Sequence, residues 1–67
     1  MREWLKDART ERGLTCKQVA TRMGISEVYY FLIEKGERQQ NMDIWTAQKL
    51  AKALDVPIAY IVERELK

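Results

Sequence analysis

Two short stretches of helical pattern, separated only by Gly24-Ile25-Ser26, constrain this chain more than any other feature. So short a connection forces the two segments to cross at a sharp angle, and the corner then sets strict requirements on its residues. Gly24 can take a positive φ without a Cβ penalty, Ala20 is small enough for a close crossing, and Ile25, Tyr30 and Ile33 are placed to fill the angle. The segment before the corner opens with Thr15-Cys16-Lys17-Gln18. This is a capping box, in which the threonine hydroxyl accepts from the Gln18 amide while the glutamine side chain accepts from the Thr15 amide. Val19, Ala20 and Met23 follow at helical spacing. The segment after the corner is capped by Ser26, runs from Glu27 to Lys35 and stops at Gly36, with Lys35 suited to the negative end of the helix dipole.

Elsewhere the punctuation is equally sparse. One proline, at position 57, and glycines only at 13, 24 and 36 divide the 67 residues into five helical segments. The first spans about Glu3 to Arg12, with Leu5, Ala8 and Trp4 on one face and Gly13 as its stop. The polar run Glu37-Arg38-Gln39-Gln40-Asn41 reads as a loop. Asp43 is the N-cap of a fourth helix, whose Ala47, Leu50, Ala51 and Leu54 form an inward stripe that ends at Asp55-Val56-Pro57. The fifth runs from about Ile58 to Leu66 and is expected to bury Ile58, Ile61 and Val62, with Pro57 suited to its first turn. No strand pattern, repeat or low-complexity tract is present. The expected fold is all-α, a compact five-helix domain.

A chain of this length buries only about 60% of the surface its unfolded form exposes, so staples matter. One cysteine and no histidine exclude an internal disulfide and the common zinc patterns, which leaves helix packing to supply the stability. No metal or cofactor is expected. Without histidine, without Ser or Cys beside a base and without a glycine-rich phosphate loop, no enzymatic constellation assembles, so the chain does not read as an enzyme. Twelve Lys and Arg against ten Asp and Glu give a formal charge of +2, which is compatible with nucleic acid and decides little. No apolar run approaches the roughly 20 residues of a membrane span, and MREWLKD lacks the apolar stretch of a signal peptide. A soluble, cytoplasmic protein with a reduced thiol and no membrane partner is expected.

The spacings from Thr15 to Gly36 are those of a helix-turn-helix. The run LKDARTERGLTCKQVATRMGIS, followed by YYFLIEKGER and KLAKALDV, resembles the Cro and phage-repressor (XRE-like) helix-turn-helix family over roughly residues 5 to 62. The resemblance implies a lambda-repressor-like fold and one helix-turn-helix DNA-binding domain over residues 1–67. It also implies a transcriptional regulator, of phage or mobile-element type, that binds double-stranded operator DNA as a dimer with the third helix in the major groove. By the same resemblance Arg9 and Glu34 form a partly buried ion pair, with Glu34 on the inward side beside Tyr30 and Ile33. Phosphate contacts would come from Cys16, Lys17, Ser26, Tyr29, Arg38, Gln39, Gln40 and Asn41.

On a 3.6-residue wheel the third helix leaves Glu27, Val28, Phe31, Leu32 and Lys35 toward the groove as base-reading residues. This face departs from the glutamine, arginine, serine or asparagine usual in the family. Glu27 can accept from cytosine, while Val28, Phe31 and Leu32 can meet thymine methyl groups. Two other readings compete: neighbouring elements cover some of these apolar residues, or the patch binds another protein, making the domain a protein-interaction module. Cys16 stands where relatives commonly have a phosphate-contacting glutamine, so backbone amides and Lys17 would carry that contact. A thiol at a helix N-terminus can have a lowered pKa and sense oxidants, although most lone cysteines are packing residues. Trp4, Trp45 and Tyr60, on three separate helices, read as packing residues. Ile61, Val62 and Leu66 are the expected source of a weak homodimer contact, with core packing as the competing role.

Overall fold

Each helix begins and ends where side chains or a left-handed residue can satisfy the backbone groups a helix leaves unpaired. The computed structural model describes residues 1–66, in which five helices follow one another: α1 (Glu3–Glu11), α2 (Cys16–Met23), α3 (Glu27–Lys35), α4 (Ile44–Leu54) and α5 (Ile58–Glu65). No strand occurs among the described residues. The capping box at α2 is closed on both sides, with the Gln18 amide donating to Thr15 Oγ1 at 3.1 Å and the Thr15 amide donating to Gln18 Oε1 at 2.8 Å. Ser26 Oγ accepts from the Tyr29 amide at 3.1 Å. Asp43 Oδ1 accepts from the Thr46 amide at 2.7 Å, which holds this carboxyl below the usual aspartate pKa. Helices α1 and α5 each end one residue earlier than their patterns suggest.

Thirteen buried apolar residues, drawn from all five helices, form one core. Leu5 and Ala8 enter from α1, Val19, Ala20 and Met23 from α2, and Tyr30 and Ile33 from α3. The inward stripe of α4 contributes Ala47, Leu50, Ala51, Ala53 and Leu54, and α5 adds Ile61. Helix α2 packs on both α3 and α4, α5 packs on α4, and α1 lies against α3. Ile61 is fully buried, so it cannot supply the dimer contact expected of it; Val62 on the same helix and Leu66 just past its end remain exposed. Val62 therefore does not join the core, and Ile58 is only half-buried. Trp45 is also unlike its expected packing role. It projects from the first turn of α4 with 71% of its surface exposed.

The turn between α2 and α3 depends on Gly24, whose φ of 75° lies in the left-handed region. No atom stands within 4 Å of a Cβ added there, so only the backbone resists a larger residue. Gly24→Ala is accordingly expected to cost about 1 kcal/mol in denaturant melts with the fold intact. A loss well above that would mean that the corner also forbids the methyl group sterically.

Candidate nucleic-acid interface

Helix α3 has one face committed to the interior and one to solvent. Tyr30, Ile33 and Glu34 are buried, whereas Glu27, Val28, Phe31 and Lys35 are exposed. Leu32, expected on the outward face, is half-buried at its edge. The outward surface is thus an apolar patch of Val28 and Phe31 with a carboxylate at the start of the helix and an ammonium at its end. Lys35 Nζ lies 5.5 Å from the centre of the Phe31 ring and 3.3 Å from Glu37 Oε2.

The inward face is locked by charge. Glu34 is 2% exposed, and a carboxylate so far from water has to be paired. Arg9 of α1 meets it with both prongs of its fork, Nε donating to Oε2 at 3.0 Å and Nη2 donating to Oε1 at 3.1 Å. The hydrogen bonds to Glu34 push the Arg9 pKa above its ordinary value, against the effect of burial. The third donor, Arg9 Nη1, reaches the Leu14 carbonyl at 2.9 Å, one residue before the α2 capping box. One guanidinium therefore sets both α3 and the entry to α2. The neighbouring Tyr30 hydroxyl is buried without a well-aligned hydrogen bond, and burial, followed by the adjacent Glu34 carboxylate, drives its pKa well up.

The expected phosphate-contacting residues divide into exposed and engaged ones. Lys17, Ser26, Arg38, Gln40 and Asn41 are exposed. Cys16 is half-buried against the core, and burial, with Glu34 nearby, raises its thiol pKa, the opposite of an oxidant-sensing thiolate. Tyr29 is half-buried, and its hydroxyl accepts from Gln39 Nε2 at 3.1 Å. Gln39 Oε1 accepts from the Asp43 amide at 3.2 Å. Gln39, expected to bind phosphate, thus uses its Oε1 and one of its two Nε2 hydrogens to hold the loop and Tyr29, with the second Nε2 hydrogen left as a donor.

Several arginines with structural roles carry no sequence signal. Arg12 Nε donates to the Leu54 carbonyl at 2.8 Å and Arg22 Nη1 to the Ala53 carbonyl at 3.0 Å, so both satisfy the C-terminal end of α4. Arg64 stacks 3.4 Å from the centre of the Tyr60 ring. Arg2 is 8% exposed and donates to Glu65 and to backbone carbonyls at the end of α3. Among the described residues, Arg38 is the one arginine whose side chain makes no hydrogen bond or ion pair within the chain. Apart from Arg64, which lies one helical turn from Tyr60, these arginines reach positions far along the chain, so no periodic pattern marks their contacts.

Two helices crossing at a left-handed glycine, with the second fixed from behind and exposed in front, define a helix-turn-helix domain. The chain belongs to the helix-turn-helix family, whose model matches residues 5–61. It is 38% identical over 58 residues to the cryptic phage CTXphi transcriptional repressor RstR of Vibrio cholerae, covering 87% of this chain and 50% of that protein. It is 43% identical over 42 residues to the uncharacterized HTH-type transcriptional regulator YqaF of Bacillus subtilis, covering 63% of this chain and 55% of that protein. The chain thus spans about half the length of these relatives. Among the described residues no helix is long and apolar enough to cross a membrane.

The coupling of Arg9 and Glu34 is open to direct measurement. Arg9→Met and Glu34→Gln are each expected to destabilise by about 2 kcal/mol or more, and the double variant by less than their sum. Strict additivity in denaturant melts would contradict the pairing.

Proposed function

We propose that this chain is a sequence-specific, DNA-binding transcriptional regulator of phage-repressor type, which acts by occupying operator DNA with α3 in the major groove. The observation that carries the reading is the division of α3, whose rear is locked by a buried ion pair while its front stands free. A rigid helix with an uncovered face can enter a groove without first rearranging. The likeness to RstR, a phage transcriptional repressor by name, supports the repressor reading.

Val28 and Phe31, with the edge of Leu32, read thymine methyl groups, and Glu27 accepts from a cytosine amino group. Lys35 donates to base or phosphate acceptors at the far end of the helix. Positioning on the backbone falls to Lys17 and the amides around Cys16, to Ser26 and Tyr29, and to Arg38, Gln40 and Asn41. Gln39 contributes by holding Tyr29. Nothing in this set is a nucleophile paired with a base, so the reading is one of binding rather than of catalysis. A weak homodimer would place two copies of α3 on successive half-sites, with Val62 and Leu66 as its contact residues.

A second reading has its own observation. Val28 is 69% and Phe31 45% exposed, and an uncovered apolar patch also suits a protein partner. Salt dependence separates the two. Binding to DNA should weaken steeply as salt rises, and Arg38→Ala should weaken binding to all duplexes about equally while reducing the salt slope by about one. Affinity that is indifferent to salt, or a slope unchanged by the substitution, would speak against Arg38 at a phosphate and favour the apolar contact.

A further inference from the structure

The Arg2 side chain joins three parts of the molecule: the end of α5, the last turn of α3 and the loop between α3 and α4. Its Nε and Nη2 donate to Glu65 Oε2 and Oε1 of α5, both at 2.8 Å, in a fork that the Trp4 indole joins by donating to Glu65 Oε2 at 3.2 Å. On its other edge Nη1 donates to the Ile33 carbonyl at 2.6 Å, while the Arg2 backbone amide donates to the Glu34 carbonyl at 2.8 Å. These are carbonyls of the last turn of α3, which lack partners within the helix and carry the negative end of its dipole. The same guanidinium then reaches the loop. Nη1 donates to the Arg38 carbonyl at 3.3 Å, and Nη2 donates to the Gln39 carbonyl.

Gln39 is one of two non-glycine residues with positive φ, at 54°. A residue in that region stays there only when its surroundings hold it. The holding groups are the Arg2 guanidinium on its carbonyl and the Tyr29 hydroxyl and Asp43 amide on its side chain. The loop so fixed is the segment that presents Arg38, Gln40 and Asn41, and among the described residues the Arg38 side chain has no partner.

We infer that Arg2, braced by Glu65, is a positioning residue for DNA binding: it holds the α3–α4 loop in the shape that aims Arg38 at the phosphate backbone. The inference rests on the DNA-binding reading above and adds to it a residue that touches no DNA. A loop already in its bound shape loses less freedom on binding, so the clasp contributes to affinity without contributing a contact. It also ties the end of α5 to the interface, which makes the loop sensitive to whatever alters Glu65.

The test compares Arg2→Met with Arg12→Met on a mixed-sequence duplex, at a temperature where circular dichroism shows each variant folded. Both remove a guanidinium that satisfies helix-end carbonyls, so they share the loss of one positive charge. Arg2→Met is expected to bind about fivefold more weakly than Arg12→Met and to lose about one unit of salt slope, as Arg38→Ala does. In the Arg38→Ala background the Arg2→Met change should have no further effect beyond that of Arg12→Met. Amide exchange at residues 38–41 should quicken in Arg2→Met and not in Arg12→Met. Should Arg2→Met not fold, Glu65→Gln keeps the carbonyl contacts while removing the brace, and a smaller loss of affinity and slope is expected. If the parent binds DNA and folded Arg2→Met matches Arg12→Met in affinity and slope, or, where Arg2→Met does not fold, Glu65→Gln binds as the parent does, the clasp is overturned and the DNA reading stands. If the parent binds no duplex at low salt, the DNA reading falls, and the role of Arg2 with it.

Discussion

A carboxylate almost out of reach of water sits at the centre of this fold, and much of the arrangement follows from satisfying it. Glu34 lies on the inward side of α3, where an unpaired charge would be several times costlier than any single apolar contact is favourable. Arg9 meets that need from α1, and its remaining donor fixes the Leu14 carbonyl just ahead of α2. The ion pair thus joins α1, α3 and the entry to α2. Its geometry is specific where hydrophobic contact is not, because two parallel hydrogen bonds fix an angle as well as a distance. The neighbouring Tyr30 hydroxyl shows the other side of the same chemistry, since burial and the adjacent Glu34 carboxylate keep it protonated.

The use of arginine elsewhere explains why a formal charge of +2 says so little about the interface. Arg12 and Arg22 close the end of α4, Arg64 lies over Tyr60, and Arg2 binds the end of α3 together with Glu65. Each supplies planar donors to carbonyls or an aromatic face, tasks that lysine performs less well. The fold therefore absorbs most of its guanidinium groups. Lys17, Lys35 and Arg38 remain at the candidate surface, and the apolar pair Val28 and Phe31 lies among them. Recognition by such a face would depend on methyl groups and shape more than on hydrogen-bonded matching of base edges.

Local chemistry was legible in the sequence because it acts within a few residues. Thr15 with Gln18, Ser26, Asp43 and the left-handed Gly24 and Gly36 mark helix ends through contacts no more than four positions away, and the helical stripes place Leu5, Val19, Tyr30, Ile33, Leu50 and Leu54 inside. What stayed hidden depends on tertiary placement. Ile61 and Val62 are adjacent apolar residues on one short helix, and only the position of α4 decides that the first is covered and the second is not. Trp45 lies on the side of α4 that no helix covers, a fact no wheel reports. Gln39 looked like a free amide in a polar loop, yet the Asp43 amide engages its Oε1 and Tyr29 one of its Nε2 hydrogens. Arg2 gave no signal at all, since its partners lie 31 to 63 positions away.

The central claim is that the outward face of α3 reads a DNA sequence, and selection of bound duplexes from a random pool tests it most directly. Enrichment is expected for a site in which thymines recur at the positions facing Val28 and Phe31. If a dimer binds, two such half-sites should lie about 10 base pairs apart, one turn of the double helix. The enriched positions should shift with Val28→Ala or Phe31→Ala and stay fixed with Arg38→Ala, which changes affinity alone. A pool that emerges unenriched at low salt, from protein shown to be folded, would contradict sequence reading by this helix.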